Sequence, residues 1–141
     1  MRKLFLFATL FLLSFPSCQN SGQNNLKYDY VDFDYLQIQW ETFFSQEGSN
    51  YYVYFYSEQC CYCESFKTDM LSFISISNKR FFLLSYKTGI PIFEDVEMTI
   101  GATSLEGMWF GGTPSLVYLE NKTVKNNILG VQNISSYLKL I

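Results

Sequence analysis

Apolar side chains recur along this chain at two periods, and the switches between them mark out its elements. Phe33, Leu36, Trp40, Phe43 and Phe44 keep helical spacing and predict an amphipathic helix over 33–46, ended near Gly48. Residues 51–57, Tyr-Tyr-Val-Tyr-Phe-Tyr-Ser, are continuously aromatic and β-branched, as in a strand covered on both faces. Helical period returns over 60–78 and puts Cys63, Phe66, Met70, Phe73 and Ile74 on one face. A second buried strand is predicted at 81–86. The stretch 87–110 is broken by Gly89, Pro91, Gly101 and Gly107 and allows a short helix near 103–108. Strands at 115–119 and 123–129 flank the polar turn Glu120-Asn121-Lys122 and are expected to run antiparallel. A short helix over 133–140, with Ile134, Tyr137, Leu138 and Ile141 as its apolar side, is the last predicted element. This order predicts an α/β layer structure with a central mixed four-stranded sheet flanked by helices.

The pattern is different before residue 31. Met1-Arg2-Lys3 precedes an apolar run over 4–15, broken only by Thr9 and Ser14. A charged start followed by about 12 apolar residues is the form of a secretory signal. The run is too short to cross a bilayer comfortably as a mature helix. Residues 1–17 are therefore read as a signal peptide. Phe15-Pro16-Ser17-Cys18 resembles the bacterial lipoprotein cleavage site in having a small residue directly before a cysteine. It departs from that pattern at Phe15, where an aliphatic residue is usual, and at Pro16. Lipid attachment at Cys18 is the expectation; secretion with a free amino terminus and retention by an uncleaved signal are the alternatives. Residues 18–30, rich in Asn, Gln, Ser and Gly, read as a flexible tether, and residues 31–141 as one domain.

Charge narrows the list of partners. Without Arg2 and Lys3, the ten basic residues fall to eight, against thirteen acidic. Only Lys79 and Arg80 are adjacent, so no cluster of positive charge is available for a phosphate backbone, and nucleic acid is not expected as a partner. The same acidity argues against a purely electrostatic grip on anionic lipid. The 14 Phe and 11 Tyr suit either a core built from aromatics or an adhesive surface.

The candidate chemistry is in Cys60-Cys61-Tyr62-Cys63, where a predicted strand gives way to a predicted helix. A cysteine at a helix start faces unpaired backbone N–H groups and the positive end of the helix dipole, which favour thiolate over thiol. A second cysteine three residues on can close a disulfide with the first or resolve a mixed disulfide formed on it. These considerations make Cys60 the attacking thiol and Cys63 the resolving one. Cys61, Tyr62 and Glu58 are candidate modulators. Cys61 is left as a spectator, a competing partner or a second redox reporter; i,i+2 geometry points it away from Cys63. A soft metal ion held by the three thiols with Glu58 or Glu64 is the chemical rival. The chain has no histidine and no fourth clustered cysteine, so no metal site is expected. A static disulfide is disfavoured because a three-residue loop hardly constrains the unfolded chain.

These residues carry a resemblance to the thioredoxin-like superfamily. The strand before Cys60-Cys61-Tyr62-Cys63, Phe66 inside the following helix, Gly112-Thr113-Pro114-Ser115 entering the next strand, and the final hairpin with Gly130 and a short helix are similar to that family's arrangement. The exported form also resembles small thioredoxin-like lipoproteins and bacteriocin-transport accessory proteins. The resemblance implies a thioredoxin-like fold, and a cis peptide before Pro114 beside the cysteine pair. It also implies that Thr113 and Pro114 bind substrate backbone. Two departures stand out: Gln59 precedes Cys60 where the family has Trp, and Tyr54 stands where thioredoxins keep a buried Asp.

The expected activity is thiol–disulfide exchange with extracytoplasmic protein thiols and disulfides through Cys60 and Cys63, without a cofactor. A redox recycling partner and a membrane attached through Cys18 complete the expectation. The alternative is a non-catalytic accessory module that binds an exported or membrane partner. A peroxidase is disfavoured because Arg80 would be the only arginine available to the site after the signal.

Overall fold

The computed structural model describes residues 28–141. The signal, Cys18 and most of the tether lie outside the described residues. Four strands form one sheet: β1 (Asn50–Tyr56), β2 (Phe81–Ser85), β3 (Ser115–Glu120) and β4 (Thr123–Leu129), in the order β2-β1-β3-β4. β1 runs parallel to β2, with Tyr54 opposite Leu83. It runs antiparallel to β3, with Val53 opposite Val117. β3 and β4 form a hairpin whose turn residues Asn121 and Lys122 take positive φ values of 50° and 59°. Helix α1 (Cys61–Ile76) connects β1 to β2, and α2 (Val131–Leu138) follows β4.

β1 explains the architecture. Every residue from Tyr51 to Tyr56 is buried. Successive strand side chains point to opposite faces, so both faces of the sheet need cover. Tyr52, Tyr54 and Tyr56 enter one core with Cys63, Phe66, Met70 and Leu71 of α1 and Ile134 of α2. Tyr51, Val53 and Phe55 enter the other core, with Ile38, Phe43, Met108 and Phe110. The second core is closed by aromatic packing, with the rings of Phe55 and Phe110 stacked at 3.9 Å. The aromatic residues of β1 are thus core residues.

The helix predicted over 33–46 is not formed. Its place is taken by two short 3₁₀ turns, Tyr30–Leu36 and Trp40–Thr42, separated by extended backbone. The Ile38 N–H donates to the Leu83 carbonyl at 2.9 Å, tying that extended piece to the edge strand β2. The segment thereby crosses the sheet edge: Phe33 packs in the first core and Phe43 in the second. One straight helix cannot serve both layers. The terminal helix starts two residues earlier than predicted, directly after Gly130, whose φ of 88° turns the chain out of β4. A 3₁₀ turn at Val96–Thr99 was not anticipated, and the short helix near 103–108 is a single turn, Leu105–Gly107.

Candidate active site

The site lies at the carboxyl end of β1, where the chain leaves the sheet and enters α1. Cys60 is the N-cap of α1, with extended backbone angles. Its Sγ accepts from the Cys63 N–H at 3.3 Å, so the sulfur takes up one of the donors that a helix start leaves unpaired. The Glu64 N–H donates to the Cys60 carbonyl at 3.0 Å. Cys63 is one turn in and fully buried against the first core. Cys60 is partly exposed.

The loop before β3 comes up beside this pair. The Thr113–Pro114 peptide is cis. Gly112, at φ 144°, turns the chain into it in a conformation that side chains rarely adopt. The loop is pinned on both sides: the Ser115 hydroxyl donates to the Gly112 carbonyl at 2.7 Å, and the Gly130 N–H donates to the Pro114 carbonyl at 2.9 Å. The Cys60 thiol donates to the Thr113 carbonyl at 3.3 Å. Cys60, Cys63, Thr113 and Pro114 are therefore one constellation.

The two thiols have opposite tendencies to ionise. Burial pushes Cys60 up, but hydrogen bonding from the Thr113 and Cys63 side chains and from the Cys63 and Tyr62 backbone outweighs it. The net result holds Cys60 below the ordinary thiol value. Burial, with a further push from the neighbouring Cys60, raises Cys63 to about 12, against partial relief from the Ser57 backbone and the Thr113 side chain. A Cys60 thiol that ionises more readily than Cys63 is a nucleophile with a second thiol in reserve.

Of the candidate modulators, Tyr62 is largely exposed and Glu58 is exposed. Cys61, the first residue of α1, is exposed and is not part of the pair of free thiols. Among the described residues, no group of three or more Cys, Asp or Glu side chains is arranged to hold a metal ion. No helix of the described residues is long and apolar enough to cross a membrane.

A cleft of about 300 Å³ opens beside Cys60, lined by Ser57, Gln59, Tyr86, Ile92, Gly112 and Thr113. Tyr86 and Ile92 were not anticipated as site residues. They reach the cleft through the ends of β2 and the following linker, and nothing in their local sequence marks them. A larger groove of about 660 Å³ lies at the other end of β2, against Arg80 and Phe82, and touches neither thiol.

No protein-family model matches this chain. No curated protein matches it either. Solved structures do. The chain is similar to thioredoxin f2 of Chlamydomonas reinhardtii at 18% identity and a TM-score of 0.52, over 75% of this chain and 92% of that one. It is also similar to the short form of thioredoxin f from spinach chloroplast at 12% identity and a TM-score of 0.52, over 74% of this chain and 88% of that one. At these identities the likeness shows the fold: a thioredoxin-like α/β fold with its mixed four-stranded sheet, carrying a Cys60/Cys63 thiol pair.

Proposed function

We propose that this chain is an extracytoplasmic thiol–disulfide oxidoreductase that acts on protein thiols and disulfides through Cys60 and Cys63. One observation carries the reading: the partly exposed Cys60 thiol is held toward ionisation beside the Thr113–Pro114 loop, while the buried Cys63 directly behind it is held protonated. The Cys60 thiolate attacks one sulfur of a substrate disulfide. The substrate S–S bond breaks, one substrate thiolate leaves and takes up a proton, and a Cys60–substrate mixed disulfide forms. Cys63 gives up its proton and attacks the Cys60 sulfur, closing Cys60–Cys63 and releasing the second substrate thiol. Two electrons pass to the substrate, and the reverse sequence oxidises a dithiol. Thr113 and Pro114 align an extended substrate segment in the cleft, and Tyr62, Cys61 and Glu58 modulate the approach. An unidentified redox partner returns the pair to its starting state.

The form of residues 1–18 supports export and lipid attachment at Cys18, with the polar residues after Cys18 as the spacer that holds the domain off the membrane; the domain itself begins by Tyr30, which is already part of the first core. The exposed side chains of Phe93, Met98 and Ile100 favour a second reading, an accessory module that binds an exported partner without turnover.

Mixing the reduced chain with a protein disulfide such as insulin separates the two. Under the proposal the Cys63→Ser chain accumulates a covalent mixed disulfide through Cys60, visible by mass, and the Cys60→Ser chain neither traps nor turns over substrate. Equal turnover by the parent and the Cys60→Ser chain rules out the proposal.

A further inference from the structure

Two buried hydroxyls in the first core, those of Tyr30 and Tyr54, have no hydrogen-bond partner of good geometry. Tyr54 is fully buried and Tyr30 is 6% exposed. The two interact with each other without forming a well-made bond. Packing does not require either hydroxyl. The Tyr30 ring stacks on Tyr56 at 3.7 Å and the Tyr54 ring meets Phe66 at 6.4 Å, contacts a phenyl ring would keep. A buried hydroxyl left unpaired costs about 1–3 kcal/mol, so phenylalanine would suit either position better on stability alone. Tyr51 on the same strand behaves differently: its hydroxyl donates to the Phe43 carbonyl at 2.9 Å.

Both orphaned hydroxyls share the core cluster of Cys63 and lie within electrostatic reach of its sulfur. The other groups facing Cys63 are Cys60 and the Thr113 side chain, with the Ser57 backbone. Further out, Lys67 sits 5.6 Å over the Tyr30 ring with its Nζ 3.0 Å from Glu64 and 3.4 Å from Asp29, one cation against two carboxylates. Burial raises both tyrosines far above the ordinary value, so they act as neutral dipoles and not as bases.

We propose that Tyr54 and Tyr30 are positioning residues for the resolving step, their O–H dipoles turning toward the Cys63 sulfur as it ionises. The inference rests on the disulfide-exchange reading. In that step Cys63 releases its proton to water, its thiolate attacks the Cys60 sulfur, the Cys60–substrate S–S bond breaks, and the substrate sulfur leaves as a thiolate that takes up a proton. Polar hydrogens that share an apolar core with a sulfur acquiring charge stabilise it more than they do in water.

The test uses the full chain carrying Cys18→Ser and Cys61→Ser, so that only the pair reports. The reduced protein is mixed rapidly with one equivalent of dithiobis(nitrobenzoate). Attack by Cys60 releases one coloured thiol, and resolution by Cys63 releases the second. In the Tyr54→Phe chain the first phase is expected to match the parent. The second is expected to slow roughly tenfold, the loss of one hydrogen bond to a charged group, with its pH midpoint displaced upward and thermal stability equal or higher. Tyr30→Phe is expected to act in the same direction. A second phase unchanged in rate and midpoint in both variants overturns the inference while leaving the exchange reading intact. Loss of both phases together with lowered stability also overturns it, by assigning the hydroxyls to packing. A parent without the first phase overturns the exchange reading and this inference with it.

Discussion

Tyr51 and Tyr54 are three positions apart on one strand and face different cores, and their hydroxyls have different fates. The Tyr51 hydroxyl satisfies the Phe43 carbonyl and so fastens the second 3₁₀ turn to the sheet. Tyr51→Phe leaves that carbonyl buried without its donor. The expected cost is about 1–2 kcal/mol, read as a lower urea midpoint at an unchanged denaturant slope. The same change at Tyr54 is expected to cost little stability, because its hydroxyl makes no well-formed hydrogen bond. Cys60 and Cys63 show the same dependence on place. One sulfur meets donors and part of the solvent, the other meets core, and their acidities move apart.

At the scale of elements, the site is a junction of two: the start of α1, whose first cap is the Cys60 sulfur, and the loop before β3, which presents Thr113. The loop depends on Gly112 at φ 144°. Gly112→Ala forces a Cβ into that conformation, with an expected loss of about 1–3 kcal/mol. A slower reaction of Cys60 with an alkylating agent should accompany it, since Thr113 is displaced; calorimetry and a timed mass assay check the two. The strands and α1 were legible in the sequence because each is long, strongly patterned and buried where its pattern says. The placement of the Cys60/Cys63 pair was legible because it depends on a local junction of strand and helix. The segment 33–46 was misread for a physical reason: helical spacing cannot reveal that Phe33 and Phe43 belong to opposite sides of a sheet, nor that Ile38 bonds to Leu83, 45 positions later in the sequence. The Tyr30 hydroxyl was invisible for the same reason, since its neighbours come from β1 and α1.

For the whole molecule, the two cores leave the carboxyl end of β1 as the place where a buried thiol and a reachable one meet. The far groove against Arg80 is larger but has no cysteine among its lining residues. The proposed exchange depends on the split in acidity between two sulfurs three residues apart. The most direct measurement is alkylation of the reduced full chain across pH, with each cysteine followed separately by mass spectrometry. The rate at Cys60 should rise to half its plateau below the ordinary thiol value, and Cys63 should stay unreactive until the pH approaches about 12. A Cys60 that ionises at or above the ordinary value, or a Cys63 that reacts first, contradicts the account.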